Sequence, residues 1–176
     1  MSEITTKTQR VGDIFKAKNN VKYEVPVYQR GYSWEDKQIE EFCDDLWELD
    51  IQPGTKQPFG IMFVQKQTEG GFEKIKIIDG QQRTTTVSTF ICVVRDYIDE
   101  ISAGDKLADE LHALLYIFDD QLLKINENSP VLTLGRLNRE YFSKAILSRK
   151  IYGTKTSILN KTDNDSCVNM KDAYVK

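Results

Sequence analysis

The chain has 176 residues, 40% hydrophobic and 29% charged, with 24 Lys and Arg against 27 Asp and Glu for a formal net charge of −3. That length and composition suit one globular domain, or one domain with part of a second, and a core buried without staples. The acidic balance gives no bulk argument for nucleic-acid binding, which would show as a basic surplus or stripe. Three cysteines, Cys43, Cys92 and Cys167, come without a CxxC and argue against a disulfide framework. His112 is the single histidine, which leaves too few ligands for a zinc site or an HNH-type nuclease centre in this chain. Residues 1–10 are polar and lack the apolar stretch of a signal peptide, and no apolar run is long enough to span a bilayer. The expected location is the cytoplasm, with no membrane partner.

In chain order, residues 11–18 read as a short helical turn or loop. Residues 21–28 alternate through Val21, Tyr23, Val25 and Val27 and predict a strand, with Pro26 at its edge or end. Ser33-Trp34-Glu35-Asp36 resembles a helix N-cap, followed by Ile39, Phe42, Cys43, Leu46 and Trp47 at helical spacing, so a helix is expected near 34–49, ending before Pro53-Gly54. Cys43 and Cys92 fall on apolar faces and read as buried thiols. Residues 59–67 alternate through Phe59, Ile61 and Phe63, and residues 72–78 through Ile75 and Ile77, with Glu69-Gly70-Gly71 between them, the pattern of a β-hairpin. A long helix near 82–101 follows, with Val87, Phe90, Ile91, Val94, Tyr97, Ile98 and Ile101 as its core stripe and Gly104 after it. Leu107, Leu111, Leu114, Leu115, Phe118 and Leu122 predict a further helix near 105–124. Residues 131–134 make a short strand, and Asn138 is a candidate cap for a helix carrying Tyr141, Phe142, Ala145 and Ile146. Residues 149–165 are polar and turn-rich. Asp165-Ser166 opens a helix with Val168, Met170 and Ala173.

The expected fold class is α+β: a small mixed sheet from strands near 21–28, 59–67, 72–78 and 131–134, covered by helices. Residues 1–135 are expected to form the ligand-binding domain. Residues 136–176 would begin a helical region that the chain's end cuts short, as in a fragment of a larger protein.

Chemistry concentrates where the strand at 72–78 meets the following helix, at Asp79-Gly80-Gln81-Gln82-Arg83-Thr84. The first amides of a helix have no intrahelical partners and carry partial positive charge, an anion site suited to phosphate. Gly80 permits close approach, Arg83 adds a planar cationic fork, and Gln81, Gln82 and Thr84 add uncharged donors. Asp79 could hold Mg²⁺, or it could simply cap the helix. The loop is not a Walker A motif. A second cluster, Val25-Pro26-Val27-Tyr28-Gln29-Arg30-Gly31-Tyr32-Ser33-Trp34, brings an arginine, a glutamine and three rings to another strand-to-helix junction. Its rings can stack on a base or staple the helix start onto the core, and Arg30 can reach a phosphate or a carboxylate.

VPVYQRGYSW, FGIMFV and IIDGQQRTTT, in that order, resemble the N-terminal domain of the GmrSD family of modification-dependent restriction proteins, and the DGQQR motif is SspE-like. The similarity covers residues from about 11 to 97. The departure is Thr84-Thr85-Thr86, where the family has an apolar residue after QQR.

The resemblance implies a ParB/sulfiredoxin-like fold and a domain that binds and hydrolyses a nucleoside triphosphate to regulate DNA cleavage. It implies that Asp79, Gly80, Gln81, Gln82 and Arg83, with Thr84 beside them, form the nucleotide site, and that Tyr28, Gln29 and Arg30 line the same pocket. Asp79, Gln82 and Arg83 would carry the chemistry, with Asp79 holding Mg²⁺. The implied partners are the nucleotide, DNA through the full-length protein, and a nuclease domain in the same or a partner chain. The alternative is a non-catalytic adaptor that binds DNA or senses a nucleotide.

Overall fold

The computed structural model describes residues 5–15, 21–51, 54, 58–69, 72–119, 124–149, 159–160, 162 and 164–175. A four-stranded mixed sheet carries the site. Its strands are β1 (Val21–Glu24), β2 (Phe63–Glu69), β3 (Phe72–Asp79) and β6 (Leu132–Thr133), in the order β2-β3-β1-β6. β2 and β3 form the expected antiparallel hairpin, and β1 runs parallel to both β3 and β6. Tyr23 stands between Ile75 and Leu132 in register, and all three are buried. This alternation of apolar residues is what the parallel pairing needs to cover one sheet face. A separate hairpin joins β4 (Tyr116–Asp119) to β5 (Lys124–Pro130).

Helices α1 (Val11–Ile14), α2 (Asp36–Ile51), α3 (Gln81–Ile101), α4 (Lys106–Leu114), α5 (Arg139–Tyr141, continued as a π-helical segment Phe142–Leu147) and α6 (Asp165–Val175) complete the fold, which is α+β as the sequence predicts. One buried cluster runs from Tyr23 and Ile77 in the sheet through Val87 and Cys92 on α3 to Phe142, Ile146, Met170 and Tyr174. Among the described residues no helix is long and apolar enough to cross a membrane.

Several expectations are corrected. The first strand stops at Glu24, just ahead of Pro26, which cannot donate to a ladder. The second helix begins at Asp36, so Ser33 does not cap it; the Gln38 side chain instead accepts the Glu35 N–H at 3.0 Å. Cys43 lies on the exposed side of α2, whereas Cys92 is buried as expected. The segment Phe59–Met62 is not strand, and pairing starts at Phe63 across a bulge. The helix expected near 105–124 ends at Leu114, because Tyr116–Asp119 pairs with β5 and tertiary pairing overrides the helical spacing of its leucines; Leu122 lies outside the described residues. Gly70 and Gly71 of the hairpin turn, and most of the polar stretch 149–165, lie outside them too.

The face of α3 also differs. Phe90, Tyr97 and Ile101 point outward, while Gln81, Gln82, Thr84–Thr89, Cys92, Arg95, Asp96 and Asp99 are buried. Polar groups can occupy an interior face when each finds a partner. Arg95 and Asp96 are fully buried: the guanidinium reaches Asp96 Oδ1 at 2.8 Å and the carbonyls of Leu147 and Ser148, and Tyr174 Oη donates to Asp96 Oδ2 at 2.7 Å.

Candidate functional site

The junction of β3 and α3 is built as the sequence predicts. Asp79 is the last strand residue and Gly80 is the helix N-cap, at φ 100° and ψ 5°. Only glycine adopts this left-handed turn without strain, and a Cβ there would meet Met62 Cγ at 2.4 Å. Gly80, which has no side chain, occupies the N-cap position, and Asp79 stands one residue before it as the end of the strand. The Thr84 N–H donates to the Gly80 carbonyl at 3.0 Å, so the amides of Gln81, Gln82 and Arg83 precede the first intrahelical bond. Thr84 itself turns inward, with Oγ1 on the Gly80 carbonyl at 3.0 Å.

The loop Tyr28–Ser33 lies against this helix start. Gln82 grips it with both ends of one amide: Oε1 accepts the Ser33 N–H at 2.9 Å and Nε2 donates to the Gly31 carbonyl at 3.0 Å. Tyr32 Oη meets Thr86 Oγ1 at 2.8 Å, and Thr86 Oγ1 in turn reaches the Gln82 carbonyl at 3.0 Å. Because the threonine has one proton and directs it to that carbonyl, the phenol is the donor. Burial holds the Tyr32 hydroxyl well above its ordinary pKa, against the smaller opposing effect of Thr86, so it keeps its proton. Gln29 joins the same assembly, with Nε2 on the Ile78 carbonyl at 2.9 Å and Oε1 accepting from Gln81 Nε2 at 3.4 Å.

These residues enclose a small recess lined by Gln29, Arg30, Tyr32, Gln81, Gln82 and Asn138, with a volume of about 10 Å³, room for roughly one water. Arg30 and Tyr28 are exposed beside it. Buried Gln81 Oε1 has no hydrogen-bond partner.

Arg83 faces a different direction. Its guanidinium donates to the carbonyls of Phe59 and Ile61 at 3.3 and 2.7 Å and lies 3.8 Å from Asp79 Oδ2. A Cβ on Gly60 would stand 1.8 Å from its Nη1, so glycine is what lets the loop approach. Gln29, Arg30, Gln81 and Gln82 therefore gather at the recess, while Asp79 and Arg83 stand on the side of the junction facing residues 59–61. No group of three or more carboxylate, histidine or cysteine ligands occurs among the described residues, and Asp79 would be a single ligand.

One wall of the recess could not be read from local pattern. Asn138, which the sequence suggests as a helix cap, makes no side-chain cap; its Oδ1 accepts the Tyr32 N–H at 2.8 Å and the Ser166 hydroxyl at 2.8 Å. Ser166 Oγ also lies 2.7 Å from the Tyr32 carbonyl. The start of α6 thus sits directly behind the loop. A contact spanning 106 residues leaves no trace in spacing.

The model of the family described as GmrSD restriction endonuclease, N-terminal domain, matches residues 11–175. No curated protein matches the chain.

Proposed function

The chain belongs to the family of GmrSD restriction endonuclease N-terminal domains, and from that premise we propose that it is the nucleoside-triphosphate-binding, regulatory and hydrolysing domain of a cytoplasmic anti-phage DNA restriction system. The observation that carries this reading is the left-handed turn at Gly80, after which the amides of Gln81, Gln82 and Arg83 precede the first intrahelical bond, with the exposed Arg30 lining the same recess as Gln81 and Gln82. Polyphosphate is the anion that matches a 21-residue helix start with adjacent guanidinium charge. A cavity of about 10 Å³ does not hold a nucleotide, so the phosphates would lie across its mouth, with the Tyr28 ring free to stack on a base.

Within this reading Gln82 holds the Tyr28–Ser33 loop against the helix. Arg83 has five N–H donors, of which the two carbonyls use only part. Asp79, more than half exposed, is one carboxylate, and Mg²⁺ is commonly held by one or two carboxylates completed by substrate phosphates and water. Asp79, 3.8 Å from the Arg83 guanidinium, would give such an ion a single protein ligand, on the side of the junction facing residues 59–61. When bound, the ion would supply charge neutralisation for phosphoryl transfer. The chain's own part is positioning: the amides and Arg30 orient the phosphates, and Asp79 orients a water.

Calorimetric titration with each nucleoside triphosphate, with and without Mg²⁺, tests the reading. Saturable binding, strengthened by Mg²⁺ and weakened about tenfold or more by Arg30→Ala, is expected. No binding of any nucleotide at millimolar concentration would refute it.

A specific observation favours the adaptor reading as well. An open groove next to the loop is lined by Val27, Arg136, Arg139, Ser143 and Lys144, with Glu140 as its one acid. DNA phosphates suit its cations, of which Lys144 is already paired with Glu140 and Arg139 lies 3.8 Å from Glu24. A mobility shift that weakens steeply with salt, without phosphate release, would favour the adaptor; release without a shift favours the enzyme.

A further inference from the structure

Helix α2 carries two ridges that the core does not use. Its inward side is set by Ile39 and Phe42, which are buried, and by Leu46, which packs against the core. Cys43, Trp47 and Ile51 follow one another at four-residue steps on another side, where Cys43 is exposed, Trp47 is 66% exposed and Ile51 is 56% exposed. An indole left so far in water is one of the larger apolar surfaces a side chain can offer a partner. Glu40, Asp44 and Glu48, each three residues before a member of that ridge, run alongside it as an exposed acidic ridge. Lys37 is the one base of the helix, and it stands 3.9 Å from Glu41.

The charge beside the apolar ridge decides what can cover it. Nucleic-acid phosphates and an anionic membrane surface would meet Glu40 and Asp44 as like charges. A second copy of this chain, docked face to face about a two-fold axis, would set acid against acid. A polypeptide with apolar side chains flanked by lysine or arginine satisfies both ridges at once.

We propose that this face of α2 docks a basic amphipathic helix of a protein partner, with Trp47 as the central apolar contact and Glu40 and Asp44 as the charges that select it. The two helices would pack ridge against groove. The face begins after the Tyr28–Ser33 loop and includes none of the residues of the β3–α3 junction, so this inference stands apart from the nucleotide reading.

Three synthetic helical peptides of equal length test it on the whole chain. One has leucines along one face with lysines flanking them, one has glutamates in place of the lysines, and one has serines in place of the leucines. Calorimetric titration should show saturable binding of the lysine–leucine peptide alone. Trp47→Ala should weaken it about tenfold or more, and so should Glu40→Lys combined with Asp44→Lys. The charge-reversed variant should take the glutamate–leucine peptide instead, a gain that a misfolded variant could not show. No binding of the lysine–leucine peptide to wild type overturns the inference. Equal affinity for the lysine–serine peptide, which would reduce the contact to bulk charge, overturns it too, as does binding indifferent to Trp47→Ala. Dimerisation of wild type in sedimentation, abolished by Trp47→Ala, would assign the face to a second copy and likewise overturn it.

Discussion

The side-chain oxygen of Gln82 accepts the backbone N–H of Ser33 at 2.9 Å across 49 residues of sequence. The other end of the same amide holds Gly31, so one glutamine replaces, for a stretch of loop, the pairing a neighbouring strand would supply. The helix start and the loop that together enclose the recess are in this way one unit.

Removing that amide should be costly. Gln82→Ala leaves the Ser33 N–H and the Gly31 carbonyl without this partner, and a loss of about 1–3 kcal/mol in unfolding free energy is expected. Gln82→Glu keeps the acceptor toward Ser33 but loses the donor toward Gly31, and should fall between. Urea unfolding measures both, and hydrogen exchange at Ser33 should quicken in the alanine variant. An Ala variant as stable as wild type would mean that the two bonds contribute nothing.

Gly31 is closed to a side chain. A Cβ there would lie 2.3 Å from Ser166 Oγ and 3.0 Å from Asn138 Oδ1. Gly31→Ala should cost about 1–3 kcal/mol through overcrowding. Adding Ser166→Gly should recover part of that loss, and a double-mutant cycle by thermal melting reads the coupling. Strict additivity would contradict a direct contact between the loop and the start of α6.

Arg83 should behave as a tie for residues 59–61 in the unliganded chain. Arg83→Lys, which keeps the charge but not the fork, should loosen the segment nearly as much as Arg83→Ala. Hydrogen–deuterium exchange over residues 58–63 is the measurement, with faster exchange expected in both variants. Unaltered exchange in Arg83→Ala would leave the carbonyl bonds without structural weight.

Stability should fall on mild acidification. Burial is the main cause that pulls the His112 pKa below its ordinary value, with the positive charges of Arg95 and Arg149 adding to it and Glu127 opposing it. The ring accordingly sits neutral, with Nδ1 accepting from Arg95 at 3.0 Å and Nε2 donating to Glu127 at 3.1 Å. As pH falls through the unfolded value of about 6.5, the unfolded chain takes up a proton that the folded chain resists, so unfolding is favoured from there down to the depressed folded value. Asp99, held low chiefly by its hydrogen bonds with Arg149, contributes stability above its unfolded pKa that is lost as pH falls toward its folded value. Urea midpoints at pH 7.5 and 5.5 should differ, and His112→Gln, which can still accept from Arg95 and donate to Glu127, should flatten the difference. A wild type equally stable at both pH values would contradict the buried neutral ring.

The parts of the fold that depend on local chemistry could be read from the sequence: the antiparallel pairing of β2 with β3, the turn at Gly80, the helix opening at Asp165. Its failures have one origin. Phe90, Tyr97 and Ile101 mark an apolar stripe on α3, yet the buried face carries Arg95, Asp96 and Asp99, because Tyr174 and Arg149, distant in sequence, supply their partners. Likewise Phe118 keeps the helical spacing of the leucines before it but pairs with Ile125 of β5 in a hairpin. At the site, spacing brought out Gln29, Arg30, Gln81 and Gln82, all of which line the recess. It gave no hint that Arg83 turns toward the Phe59 and Ile61 carbonyls, nor that Asn138 and Ser166 close the back of the loop, since such contacts follow from the tertiary path alone.

The central claim is that the helix start past Gly80 receives a nucleotide. Backbone amide chemical shifts followed by NMR during titration with a nucleoside triphosphate and Mg²⁺ test it most directly. Saturable shifts at Gln81, Gln82 and Arg83, joined by Tyr28 and Arg30, are the predicted result. Saturable binding that leaves those five amides unmoved would contradict it.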